Sequence, residues 1–69
     1  MKAKVSTYNR IAAEEFESFL REWEVEFDFN ENRAGKYTYT FDDQNDRQAF
    51  QTEGLKTLGA NLWMHLEWN

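Results

Sequence analysis

Few side chains in this chain can do chemistry. The single histidine, His65, stands two residues before Glu67, and on an extended segment both would share one face. A metal there would need further carboxylates to complete its shell, and a strand pair of this kind is usually solvated. Cysteine is absent, which excludes thiolate ligands, disulfides and a cysteine nucleophile. GxSxG, P-loop and HExxH patterns are absent too. The remaining candidates are carboxylates. Glu24, Glu26 and Asp28 alternate with Val25, Phe27 and Phe29 in the run EVEFDF. Paired carboxylates perform acid–base catalysis only in unequal environments, and acids on one open face share the same solvation. The FDDQND run lacks the spacing of a calcium loop. Asp42, Asp43 and Asp46 within it read as helix caps and first-turn charges. The expectation is a non-enzyme with no catalytic residue, no metal site and no cofactor.

Recognition chemistry is left. The chain has 13 acidic and 8 basic residues and a net charge of −5. That argues against direct nucleic-acid binding, which needs Lys and Arg to replace counterions on phosphates. It suits a basic protein surface as partner, and it also serves solubility alone. No run approaches the roughly 20 apolar residues of a membrane span. MKAKVSTYNR lacks the apolar core of a secretory signal. With no cysteine framework, a cytoplasmic location is expected.

The elements that must position these groups follow from periodicity. Residues 1–69 are expected to form one domain, whose short chain buries only about 60% of its unfolded surface. Six Phe, three Trp and three Tyr compensate with bulk. KAKVSTY (2–8) alternates as a strand. Asn9 can cap a helix whose apolar stripe is Ala12, Phe16, Phe19, Leu20 and Trp23, with Glu17 and Arg21 as an i, i+4 pair. EVEFDF and KYTYTF, joined by the polar loop 30–35, predict a β-hairpin over 24–41. Asp42 or Asp43 can cap a second helix bearing Phe50, Gly54 and Leu58 on one face. Gly54 there implies close backbone packing, and Gly59 suits the end. ANLWMHLEW (60–68) reads as the last strand.

The order β-α-β-β-α-β resembles the ferredoxin-like arrangement over the whole chain. The resemblance implies a four-stranded antiparallel sheet in order 4-1-3-2, with two helices on one face. The helices would cover Val25, Phe27, Phe29, Tyr37, Tyr39, Phe41, Leu62, Met64 and Leu66. The open face would show Lys2, Lys4, Ser6, Glu24, Glu26, Asp28, Thr38, Thr40, Trp63, His65 and Glu67, with EVEFDF at an edge. RNA-recognition modules share this fold, but they stack bases on sheet aromatics among basic residues. Here the central strand offers threonines beside an acidic neighbour.

The expected function is therefore a small acidic protein-interaction module. It would inhibit a partner by blocking a basic, nucleic-acid-binding surface. Motif-free acidic chains of this size are typical of phage and mobile elements, where they inhibit host nucleases, CRISPR complexes among them. That analogy is one of size and composition, and it reads the chain as complete from Met1. The expected partner-binding residues are Glu24, Glu26, Asp28 and Glu31, with Trp63 and Glu67 secondary. Same-face strand residues are about 6.6–6.8 Å apart, a sparse imitation of DNA with one charge per roughly 1.7 Å of axis. The alternative is a self-associating regulatory or scaffold domain, a homodimer pairing through the strand that carries Trp63 and Trp68.

Overall fold

The first strand, β1 (Lys2–Thr7), buries Ala3, Val5 and Thr7, exposes Lys2 and Lys4, and also buries Ser6, expected on the open face, beside Thr38. The architecture is taken from a computed structural model that describes residues 2–42 and 47–68, without the side chain of Arg47. Asn9 then caps helix α1 (Arg10–Glu22): its Oδ1 accepts a hydrogen bond from the Ala12 N–H at 2.9 Å. That satisfies one of the unpaired donors of the first turn. The buried stripe is Ala12, Ala13, Phe16, Phe19 and Leu20. Phe16 lies at the centre of the core, with ring centroids of Phe19, Tyr39, Phe41, Trp63 and Trp68 at 5.7–6.4 Å.

The end of α1 corrects the expectation for EVEFDF. The Glu24 N–H donates to the Arg21 carbonyl at 3.0 Å, and the Val25 N–H to the Leu20 carbonyl at 2.9 Å. These two bonds make a Schellman turn, in which the residue after the cap takes a left-handed backbone. Glu24 is that residue, with φ 56°. Glu24 therefore ends the helix, Val25 and Glu26 lead away, and strand β2 spans Phe27–Glu31. Alternation fitted a strand from residue 24, but the carbonyls at the helix end needed donors first.

The hairpin forms, with β2 joined to β3 (Tyr37–Asp42), but Asn30 and Glu31, expected in its loop, belong to β2 and pair with Thr38 and Tyr37. Asn32 organises the turn: its Oδ1 accepts from the N–H groups of Ala34 and Lys36, both at 2.9 Å. Gly35 takes φ 83°, which its missing Cβ permits.

Helix α2 (Arg47–Leu58) buries Phe50 and Leu58. Gly59, at φ 87°, ends it, and its N–H reaches the Leu55 carbonyl at 2.8 Å. The next segment corrects a second expectation. Residues 60–63 form a short helix, α3 (Ala60–Trp63), and only Glu67–Trp68 is strand, β4. The apolar residues of 60–68 fit both a two-residue and a helical spacing, so their period does not separate strand from helix. Ala60, Leu62 and Met64 are good helix formers, and Leu62, Trp63 and Leu66 turn inward while Asn61, Met64 and His65 stay exposed.

The described residues form an α+β structure with a four-stranded antiparallel sheet and three helices, one more than expected. The sheet order is β2-β3-β1-β4, the order 4-1-3-2 anticipated from the element sequence. Phe16 of α1, Phe50 of α2 and Trp63 of α3 all meet the face carrying Tyr39, Phe41 and Trp68. All three helices thus pack on one side. No described helix is long and apolar enough to cross a membrane. Of the anticipated capping acids, Asp43 and Asp46 lie outside the described residues, and Asp42 ends β3.

Candidate functional site: the acidic β2 edge

β2 pairs only with β3 and so forms one edge of the sheet. Its alternation puts Asp28 and Asn30 on the open face, beside Thr40 and Thr38. Phe27, Phe29 and Glu31 lie on the helix side, opposite Phe41, Tyr39 and Tyr37. The helices do not reach far enough to cover this edge. Phe29 remains 47% exposed, stacked on Tyr37 with centroids 6.2 Å apart. That departs from the expected burial of Phe29. Met64, also expected under the helices, is 75% exposed because α3 turns it outward.

An open depression of about 710 Å³ surrounds the start of β2. Its walls bring Glu24, Glu26, Asp28 and Asp42 together with Lys2 and Arg21. One cation pairs with an acid of this group and the other with a carboxylate outside it. Lys2 Nζ lies 3.1 Å from Asp42 Oδ1. The Arg21 guanidinium lies 3.1 Å from Glu17 Oε2 and 5.6 Å over the Phe27 ring. Among the described residues, Glu24, Glu26 and Asp28 have no ion-pair partner. They form an exposed carboxylate group with little local neutralisation.

The other anticipated contacts lie elsewhere. Glu31 is exposed at the far end of β2, on the opposite face from Asp28. Trp63 was expected on the open sheet face, but it packs on the helix side against Phe16 and Trp68. A methyl group at Gly54 would come within 2.6 Å of its ring, which explains that glycine. Glu67 is on the open face opposite Ser6, three strand spacings or about 14 Å from β2. It lies 3.8 Å from Lys36 Nζ. The six positions do not make one surface; Glu24, Glu26 and Asp28 do.

Sequence reasoning placed Lys2 on the same open face but missed Asp42 and Arg21 as neighbours of the cluster. Asp42 was within reach, because it continues the Thr38–Thr40 alternation. The left-handed conformation of Glu24 left no mark in the sequence, since glycine or asparagine usually announces such a turn.

No three metal-ligating side chains gather among the described residues. Among the described residues the strongly shifted group is structural: Tyr39, 2% exposed, donates its hydroxyl to the Ala13 carbonyl at 3.1 Å, with Glu17 Oε1 at 3.3 Å. Burial first, and then the Glu17 carboxylate, push its phenol above the ordinary value. Comparison of the chain with protein-family models, curated proteins and solved structures returns no match.

Proposed function

We propose that this chain is a ferredoxin-like protein-interaction module of the cytoplasm. It inhibits a partner by covering a basic, nucleic-acid-binding surface, in the manner of phage anti-defence proteins directed at CRISPR complexes. The observation that carries this reading is Glu24. It occupies a left-handed position that glycine would fill at lower energy, and it projects a carboxylate beside Glu26 and Asp28. Strained backbone kept at an exposed charged residue points to use of that side chain. Glu24, Glu26 and Asp28 are the primary contacts on this reading. Glu31 extends the same edge, whereas Glu67 and Trp63 contribute nothing to it.

The test compares two baits in a host lysate, wild type and a Glu24→Lys/Glu26→Lys/Asp28→Lys variant, with quantitative mass spectrometry. A basic nucleic-acid-binding protein should be enriched on wild type and lost from the variant. The purified chain should then inhibit that protein's nucleic-acid binding. Equal recovery on both baits, or recovery only of abundant basic proteins, refutes the proposal.

A further inference from the structure

The edge of β2 has a second property besides charge, in its backbone. The Asn32 N–H donates to the Lys36 carbonyl at 3.0 Å, which makes Asn32–Lys36 a hydrogen-bonded position. In an antiparallel pair such positions recur at every second residue. The register then places Asn30–Thr38 and Asp28–Thr40 among them. Asn30 and Asp28 thus direct their N–H and C=O groups toward β3. Phe27, Phe29 and Glu31 direct theirs outward. Among the described residues nothing pairs with that outward row.

We infer that this row receives an extended, basic segment of the partner protein as an added strand. The inference deepens, and rests on, the reading of the acidic edge as the contact surface. An exposed edge is a template for another chain, and charges along it exclude most comers. Charges of one sign also select. A segment with cations at the right alternation gains both the ladder and the ion pairs.

The register specifies that segment. Side chains directly opposite each other on paired strands share a face. In the antiparallel orientation, the residue opposite Glu31 comes first and should be basic. The residue opposite Asn30 is polar. The one opposite Phe29 should be apolar, because that ring is half exposed and would be covered. Opposite Asp28 a cation fits. Opposite Phe27 an apolar residue fits and a cation does not, since Arg21 already lies over that ring. A further cation would meet Glu26. A second copy of this chain is a poorer occupant. Pairing two β2 edges would bring together Glu24, Glu26, Asp28 and Glu31 of both copies, each chain carrying −5.

The probe is the acetylated, amidated peptide KTVKVK, titrated calorimetrically into the full chain at low ionic strength, with amide chemical shifts followed in parallel. Binding should move the amides of Phe27, Phe29 and Glu31. N-methylation of both valines removes donors aimed at β2 and should weaken binding at least about tenfold. N-methylation of the threonine and the central lysine blocks donors that point away and should change affinity by no more than about twofold. Absence of binding by KTVKVK overturns the inference. So does equal affinity of the valine-methylated peptide, which would leave the charge contact standing without strand pairing. If ETVEVE binds as well as KTVKVK, the acidic-contact reading itself fails. A dimer seen by sedimentation equilibrium and dissociated by Glu31→Pro would overturn the inference in favour of a second copy. Proline is tolerated there because the lost N–H faces outward.

Discussion

Replacing Glu24 by glycine separates what this residue does for the fold from what it does for a partner. At φ 56° the residue sits in the left-handed region, where a Cβ crowds the following carbonyl at a cost of roughly 1–2 kcal/mol. Glycine removes that cost. It also loosens the unfolded chain, which offsets about 0.4–1 kcal/mol of the gain. The Glu24 side chain is exposed, so its loss forfeits little packing. The two Schellman bonds, at 3.0 and 2.9 Å, are backbone bonds and survive the change. Glu24→Gly should therefore stabilise the chain by about 1 kcal/mol, or roughly 4–8 °C in Tm for a domain of this size.

The assay is urea denaturation followed by far-ultraviolet circular dichroism, with Glu24→Ala as the companion. Alanine removes the same carboxylate but keeps the Cβ, so relief of repulsion near Glu26 and Asp28 appears in both variants and backbone relief only in glycine. Equal stabilisation by alanine and glycine would refute the strained-turn argument. Destabilisation by glycine would refute it more directly. In either case Glu24 would need no function to explain its presence. On the proposed function, the more stable glycine variant binds its partner more weakly.

Gly54→Ala normally helps a helix by about 1 kcal/mol. Here the added methyl would lie 2.6 Å from Trp63 Cζ3 and 3.1 Å from Phe19 Cε2, and overpacking costs about 1–3 kcal/mol. The urea midpoint should fall, and a rise would remove the packing of α2 against α3. Tyr39→Phe should cost about 1 kcal/mol near neutral pH by losing its hydroxyl bonds. In wild type the folded phenol keeps its proton after the unfolded one, with its ordinary value of 10.0, has lost it. Wild-type stability therefore falls as pH rises beyond about 10, and the phenylalanine variant lacks that part of the slope. Parallel urea midpoints for the two proteins between about pH 10 and 12 would refute this account of Tyr39.

Strong periodicity made much of the fold legible. Alternation in β1 and β3, the α1 stripe from Ala12 to Leu20 and its Asn9 cap stand where the residue types place them, whereas Trp23, expected to continue the stripe, caps the helix and is 41% exposed. The failures have local causes. Glu24, Val25 and Glu26 alternate with the strand that follows, but the hydrogen-bonding needs of the α1 terminus claimed them first. ANLWMHLEW offers apolar residues at both a two-residue and a helical spacing. In the fold this segment takes the helical spacing, and Trp63 packs on Gly54. Trp63 consequently left the open face, and with it went half of the anticipated secondary contacts.

The same correction sharpens the meaning of the acids. Protection of an edge strand requires charge on the strand itself, and Asp28 and Glu31 supply it within β2. Glu24 lies before the strand and protects no edge. Solubility requires charge anywhere on the surface, and a residue elsewhere would provide it without a left-handed backbone. Neither general need explains a glutamate at φ 56°. The proposed contact, using its carboxylate together with Glu26 and Asp28, would. An added strand on the Phe27, Phe29 and Glu31 row would end beside that group, so backbone pairing and charge recognition would meet at one end of the same edge.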